Sequence, residues 1–125
     1  MWVKTYDNTL TDLDKFYQVV VQQSNQPNSF AAVVAFRPEF NSGSVALYRT
    51  ELNDSSGNAK TNAVMLAEAQ NAFDYVEWCL EREFTVAQSS PFICNLADGI
   101  PTKPFTYPGP LDDDDDSNGN DNGDE

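Results

Sequence analysis

The sequence predicts an α+β fold in which a small antiparallel sheet carries one long helix packed across it, followed by a disordered acidic tail. Three observations predict it. Apolar residues recur at helical intervals from about Thr61 to Glu83, two short β-rich runs at 30–36 and 45–52 flank a loop, and beyond residue 111 the chain turns to Asp, Asn, Gly and Ser with a final Glu. Strands and helices arranged in blocks, without strict β-α-β alternation, pack as α+β layers.

The first element expected is a helix over 9–24. Thr9 and Asp12 have capping-box-like spacing, and Leu10, Leu13, Tyr17, Val20 and Ser24 follow at helical intervals. The β-branched run Val19-Val20-Val21 also suits a strand. Gln26-Pro27-Asn28 then breaks the chain, and Phe30 to Phe36 is a continuous apolar run of the kind that forms a central strand. With the mixed run Val45 to Leu52 it makes a hairpin.

The turn-rich stretch Asn53 to Asn58 precedes the clearest element, the helix from about Thr61. Met65, Leu66, Ala69, Ala72, Phe73, Val76, Cys79 and Leu80 fall on one wide apolar face, and Gln70, Asp74, Glu77 and Glu81 form a polar edge. Val64, Tyr75 and Trp78 lie off that stripe, either partly exposed or covered by another element. Phe84 to Ala87 and Phe92 to Cys94 are each expected to add a strand. From Asp98 onward, Gly99, Pro101, Pro104, Pro108, Gly109 and Pro110 leave only extended loop. The folded domain is expected over 1–107 and a disordered poly-Asp tail over 108–125, with eight Phe, five Tyr and two Trp enough for one core.

Charge narrows the function classes. The net charge is −13, and eight of the 20 acidic residues lie in 111–125. The body keeps seven cations against twelve carboxylates, a balance of −5, and the tail carries −8. Such a chain repels phosphate backbones and suits a basic protein partner or divalent cations, so nucleic acid is not the expected ligand. With no histidine, most hydrolytic triads and zinc sites are excluded. Cys79 and Cys94 match no zinc spacing and read as buried thiols. No apolar run approaches the ~20 residues that span a bilayer, and Met1 to Asp7 shows no secretory signal. The expected setting is therefore cytoplasmic, with no membrane contact and no cofactor.

Candidate sites follow. In the tail, Asp114 to Glu125 fits D-x-[DN]-x-[DN]-G-x5-E and resembles an EF-hand calcium loop, with Asp114, Asp116, Asn118 and Glu125 as its ligating side chains. The proline-rich segment before it and Asp121 at an ordinarily apolar position do not fit that context. The expectation is weak calcium affinity at most, without folding. Asp74, Glu77 and Glu81 share a helix edge and read as a solvated face, not as an acid/base pair. Arg37, Arg49, Phe36 and Tyr48 on the hairpin form a candidate surface for single-stranded nucleic acid, opposed by the body's charge. The leading expectation is a non-enzymatic accessory protein, an assembly factor, chaperone-like adaptor or inhibitor, that binds a basic protein partner through Tyr75, Trp78, Phe105 and Tyr107.

Overall fold

A computed structural model describes residues 1–37, 43–86 and 93–105. The order is β1 (Trp2–Lys4), β2 (Leu10–Asp12), a 3-10 turn (Leu13–Lys15), β3 (Gln18–Gln23), β4 (Ala31–Phe36), β5 (Ser44–Arg49), α1 (Asn62–Val86) and β6 (Ile93–Asn95). The class is α+β, with a three-stranded antiparallel sheet in the order β3-β4-β5 and the long helix packed on it. A second sheet, β2-β1-β6, pairs β1 antiparallel to β2 and parallel to β6.

The helix expected over 9–24 does not form. Asp12 does cap, but its Oδ1 accepts only from the Asp14 amide at 3.1 Å and opens a single 3-10 turn. Thr9 turns back instead, its amide donating to Thr5 Oγ1 at 3.1 Å. The rest becomes β3 because β4 lies beside it: Val19, Val20 and Val21 pair with Ala35, Val34 and Val33. Val19 and Val21 then pack on the core at the strand's period of two. β-branched side chains gain more on a pleated surface than in a helix, where their χ1 freedom is lost.

The hairpin forms as expected, with β4 and β5 antiparallel and a register shift between Val33 and Val34. Ala31, Val33 and Ala35 are fully buried and Ala32 nearly so, as befits the central strand.

Thr61 caps α1, its Oγ1 accepting from the Val64 amide at 3.1 Å. Asn62 fastens that end to the β3–β4 turn, accepting from the Ser29 amide at 3.0 Å and donating to Gln26 O at 2.8 Å. The buried face is narrower than the apolar pattern and rotated toward Tyr75. Met65, Ala69, Ala72, Tyr75, Val76 and Cys79 are buried, whereas Leu66 and Leu80 are 42% and 40% exposed. Residues 84–86 continue the helix in place of the expected strand, and β6 appears where 92–94 suggested one.

A helix of 25 residues is about 37 Å long at 1.5 Å per residue, roughly twice the reach of a six-residue strand. The sheet β3-β4-β5 cannot cover all of it. β6 and the segment 100–105 cover the rest, bringing Cys94, Leu96, Ile100 and Phe105 onto the core that holds Cys79 and Tyr75. Each large apolar side chain so buried contributes ~1.5–3 kcal/mol. Among the described residues, no helix is long and apolar enough to cross a membrane.

Candidate functional site: an acidic, aromatic groove on the long helix

Segment 100–105 runs beside α1 in the helix direction. Asn71 Nδ2 donates to Pro101 O at 2.9 Å, Lys103 Nζ donates to Asp74 Oδ2 at 2.5 Å, and the Phe105 ring meets Tyr75 and Trp78. Helical spacing makes this track, because residues 71, 74, 75 and 78 recur at intervals of three and four along one side.

Three of the four aromatic residues expected to bind a partner therefore meet. Tyr75 and Trp78 stack with centroids 6.0 Å apart, Phe105 meets Tyr75 edge-on at 5.3 Å, and Trp78 and Phe105 lie 6.0 Å apart. These separations fall in the favourable range for aromatic pairs. Tyr75 itself is only 4% exposed, covered by segment 100–105, which lies over it as a strap, so it supports the other two from beneath. Its expected role as a contacting residue is corrected to that extent. Trp78 and Phe105 stay half-exposed. Tyr107 and the tail residues Asp114, Asp116, Asn118 and Glu125 lie outside the described residues.

Between strap and helix runs an open groove of about 260 Å³, lined by Asp74, Glu77, Trp78, Glu81, Lys103 and Phe105. Three carboxylates thus rim an aromatic floor. The Lys103 ammonium holds the Asp74 carboxyl below its ordinary range, with Gln70 Nε2 adding a 3.2 Å hydrogen bond. Asp74 is therefore ionised at neutral pH, the reverse of what a general acid needs. Glu77 and Glu81 are exposed and pair with no cation among the described residues. The Arg82 guanidinium lies 5.4 Å from the centroid of Trp78. Lys103 is the groove residue that sequence reasoning missed, and Arg82 is a missed neighbour of Trp78. The i, i+4 spacing from Trp78 to Arg82 offered a signal, whereas nothing local pointed from Lys103 to Asp74.

Negative charge beside half-exposed aromatic faces suits a cation. An ammonium or guanidinium gains from the ring quadrupole, by ~0.5–1 kcal/mol at exposed sites, and from the carboxylates at the rim.

The hairpin residues do not gather into a free stacking surface. The Arg37 guanidinium sits 5.5 Å from the Phe16 centroid, and that of Arg49 lies over both Tyr6 at 5.3 Å and Phe30 at 5.1 Å. A cavity of about 430 Å³ adjoins Arg49, with Glu51 in its wall. Phe36 and Tyr48 are half-buried, and burial, with Glu68 and Glu51 nearby, pushes the Tyr48 phenol up. Among the described residues no cluster of three or more carboxylate or thiol groups could hold a metal ion.

No protein family, curated protein or solved structure matches the chain.

Proposed function

We propose that this is a non-enzymatic acidic accessory protein, an assembly factor, adaptor or inhibitor of the cytoplasm, that docks a protein partner through a basic segment of that partner. A lysine or arginine side chain enters the groove on α1, its apolar stem on Trp78 and Phe105 and its charge toward Glu77 and Glu81. The observation that carries this reading is the two carboxylates, paired with no cation among the described residues, beside the half-exposed aromatic pair.

The acidic sequence of 111–125 serves the same partner differently. Eight carboxylates attract a basic surface over a Debye length, about 8 Å at physiological salt, and raise the encounter rate more than the lifetime of the complex. Removing the chain after Gly109 should slow association and flatten its salt dependence, leaving dissociation little changed.

The test is affinity capture from the source cell with the full chain, side by side with a Glu77→Lys/Glu81→Lys variant of equal stability and a form ending at Gly109. Proteins with basic segments retained by the wild type and the shortened form, and lost by the variant, support the groove. Capture that depends on the tail alone, or that the double variant retains in full, refutes it.

A further inference from the structure

From Phe16 to Phe36 the chain carries no charged residue, in a protein with 22% charged residues and a net charge of −13. That stretch includes β3, which lies at the edge of the sheet β3-β4-β5 and pairs, among the described residues, with β4 alone. An edge strand presents a row of unpaired amides and carbonyls, which proteins ordinarily guard with charge, proline or a covering segment. The opposite edge is guarded: Leu47 O of β5 accepts from the Tyr6 amide at 3.0 Å, and the strand ends in Arg49. In contrast β3, Gln18-Val19-Val20-Val21-Gln22-Gln23, has β-branched residues at its centre and neither charge nor proline.

The hydrogen bonds of β4 fix which backbone groups of β3 are free. Arg37 N donates to Gly43 O at 2.7 Å and Ala31 O accepts from Thr50 N at 3.0 Å, so odd-numbered residues along β4 turn their backbone groups toward β5. Alternation turns Val34 and Phe36 toward β3. Their partners Val20 and Gln18 face β4 in return, and the amides and carbonyls of Val19 and Val21 point outward in the plane of the sheet.

We propose that β3 pairs antiparallel with β3 of a second copy of this chain, across a two-fold axis at Val20, joining two three-stranded sheets into one of six. The strand is its own complement about that residue: Gln18 meets Gln22, Val19 meets Val21 and Val20 meets Val20. Val19 and the second copy's Val21 exchange both backbone bonds, and the axis repeats them. Because Val19 and Val21 pack on the core, this register sets both cores on one face of the joined sheet, whereas a slip of one residue would set them on opposite faces. The exposed Gln18 and Gln22 side chains pair amide to amide on the outer face. A strongly acidic chain thus meets its copy with no like charges opposed at the strand. The contact closes on itself, since each β3 is used once. The remaining charge of the two chains repels at longer range, so salt tightens this pairing, the reverse of its effect on a basic partner at the groove.

The test is sedimentation equilibrium of the full chain from about 1 μM to about 1 mM at two salt concentrations, with amide hydrogen exchange read residue by residue. The expected result is a monomer–dimer equilibrium that tightens at the higher salt. Exchange at Val19 and Val21 should slow at least about fivefold between the dilute and the concentrated sample, while Val20, already bonded to β4, changes less. Gln18→Lys/Gln22→Lys and Gln18→Glu/Gln22→Glu should each stay monomeric, because like charges then stand opposite across the axis, and their equimolar mixture should restore the dimer. The wild-type exchange pattern stands even if neither variant folds. A chain still monomeric at about 1 mM, assembly beyond the dimer, a dimer that salt weakens, protection gained at Val20 rather than at Val19 and Val21, or double variants that each dimerise alone as tightly as the wild type overturns the proposal.

Discussion

The groove on α1 and the outer end of the hairpin are built from the same materials and finish in opposite states. At the hairpin, each arginine lies over rings of its own chain, Arg37 on Phe16 and Arg49 on both Tyr6 and Phe30. Cation and quadrupole meet within the chain there. At the helix, Lys103 takes Asp74 and the Arg82 guanidinium lies near the Trp78 ring, while Glu77 and Glu81 pair with no cation among the described residues beside Trp78 and Phe105. The proposed docking at the groove rests on that difference in charge left over.

The sharpest way to break this comparison is to remove one ring from each region. Tyr75 is 4% exposed beneath the groove, whereas Phe30 at the hairpin is 44% exposed. Tyr75→Ala should cost about 3–5 kcal/mol, the range for deleting a buried aromatic. Phe30→Ala should cost no more than about 1 kcal/mol, mostly its contact with Arg49. Urea unfolding of both variants measures the difference, and equal losses would mean that the strap does not seal Tyr75.

Binding should divide the regions next. Against a lysine-rich peptide, Glu77→Lys/Glu81→Lys should weaken affinity at least about tenfold, because two attractions become repulsions. Arg49→Ala should leave that affinity within about twofold. Titration calorimetry at two salt concentrations reads both, and the loss should shrink at the higher salt.

Arg49→Ala acts instead on stability. It removes two cation–ring contacts at an exposed guanidinium, for about 1 kcal/mol in all. Arg49→Lys should recover only part, since the ammonium lacks the flat face that lies between two rings.

The smallest effect concerns the Asp74–Lys103 contact. The folded Asp74 carboxyl is held low, first by the Lys103 hydrogen bond, so its contribution is present above the unfolded value near pH 4 and lost as pH falls through the lowered folded value. Lys103→Met should therefore cost less than about 1 kcal/mol at neutral pH, the pair being solvent-accessible. The gap should close on acidification. A gap that widens toward acid pH would show that the contact works through something other than this carboxylate.

The local part of the fold was legible in the chain. The helix from Thr61 announces itself through the turn-rich stretch before it and its apolar period, and the hairpin through two β-rich runs across a loop, because all of these act between near neighbours. The balance of charge, the absence of histidine and the acidic edge Asp74-Glu77-Glu81 are likewise properties of the string itself. Tertiary structure alone decided the fate of 9–24, where helical spacing and β-branched residues pulled apart and β4 supplied the partner that settled them as β3. It alone rotated the buried face of α1 toward Tyr75, exposed Leu66 and Leu80, folded Phe105 back onto the helix and buried Cys94 in the same core as Cys79. Such contacts join residues 15 to 30 positions apart on different elements, and their energy comes from burying surface that no local window of sequence contains.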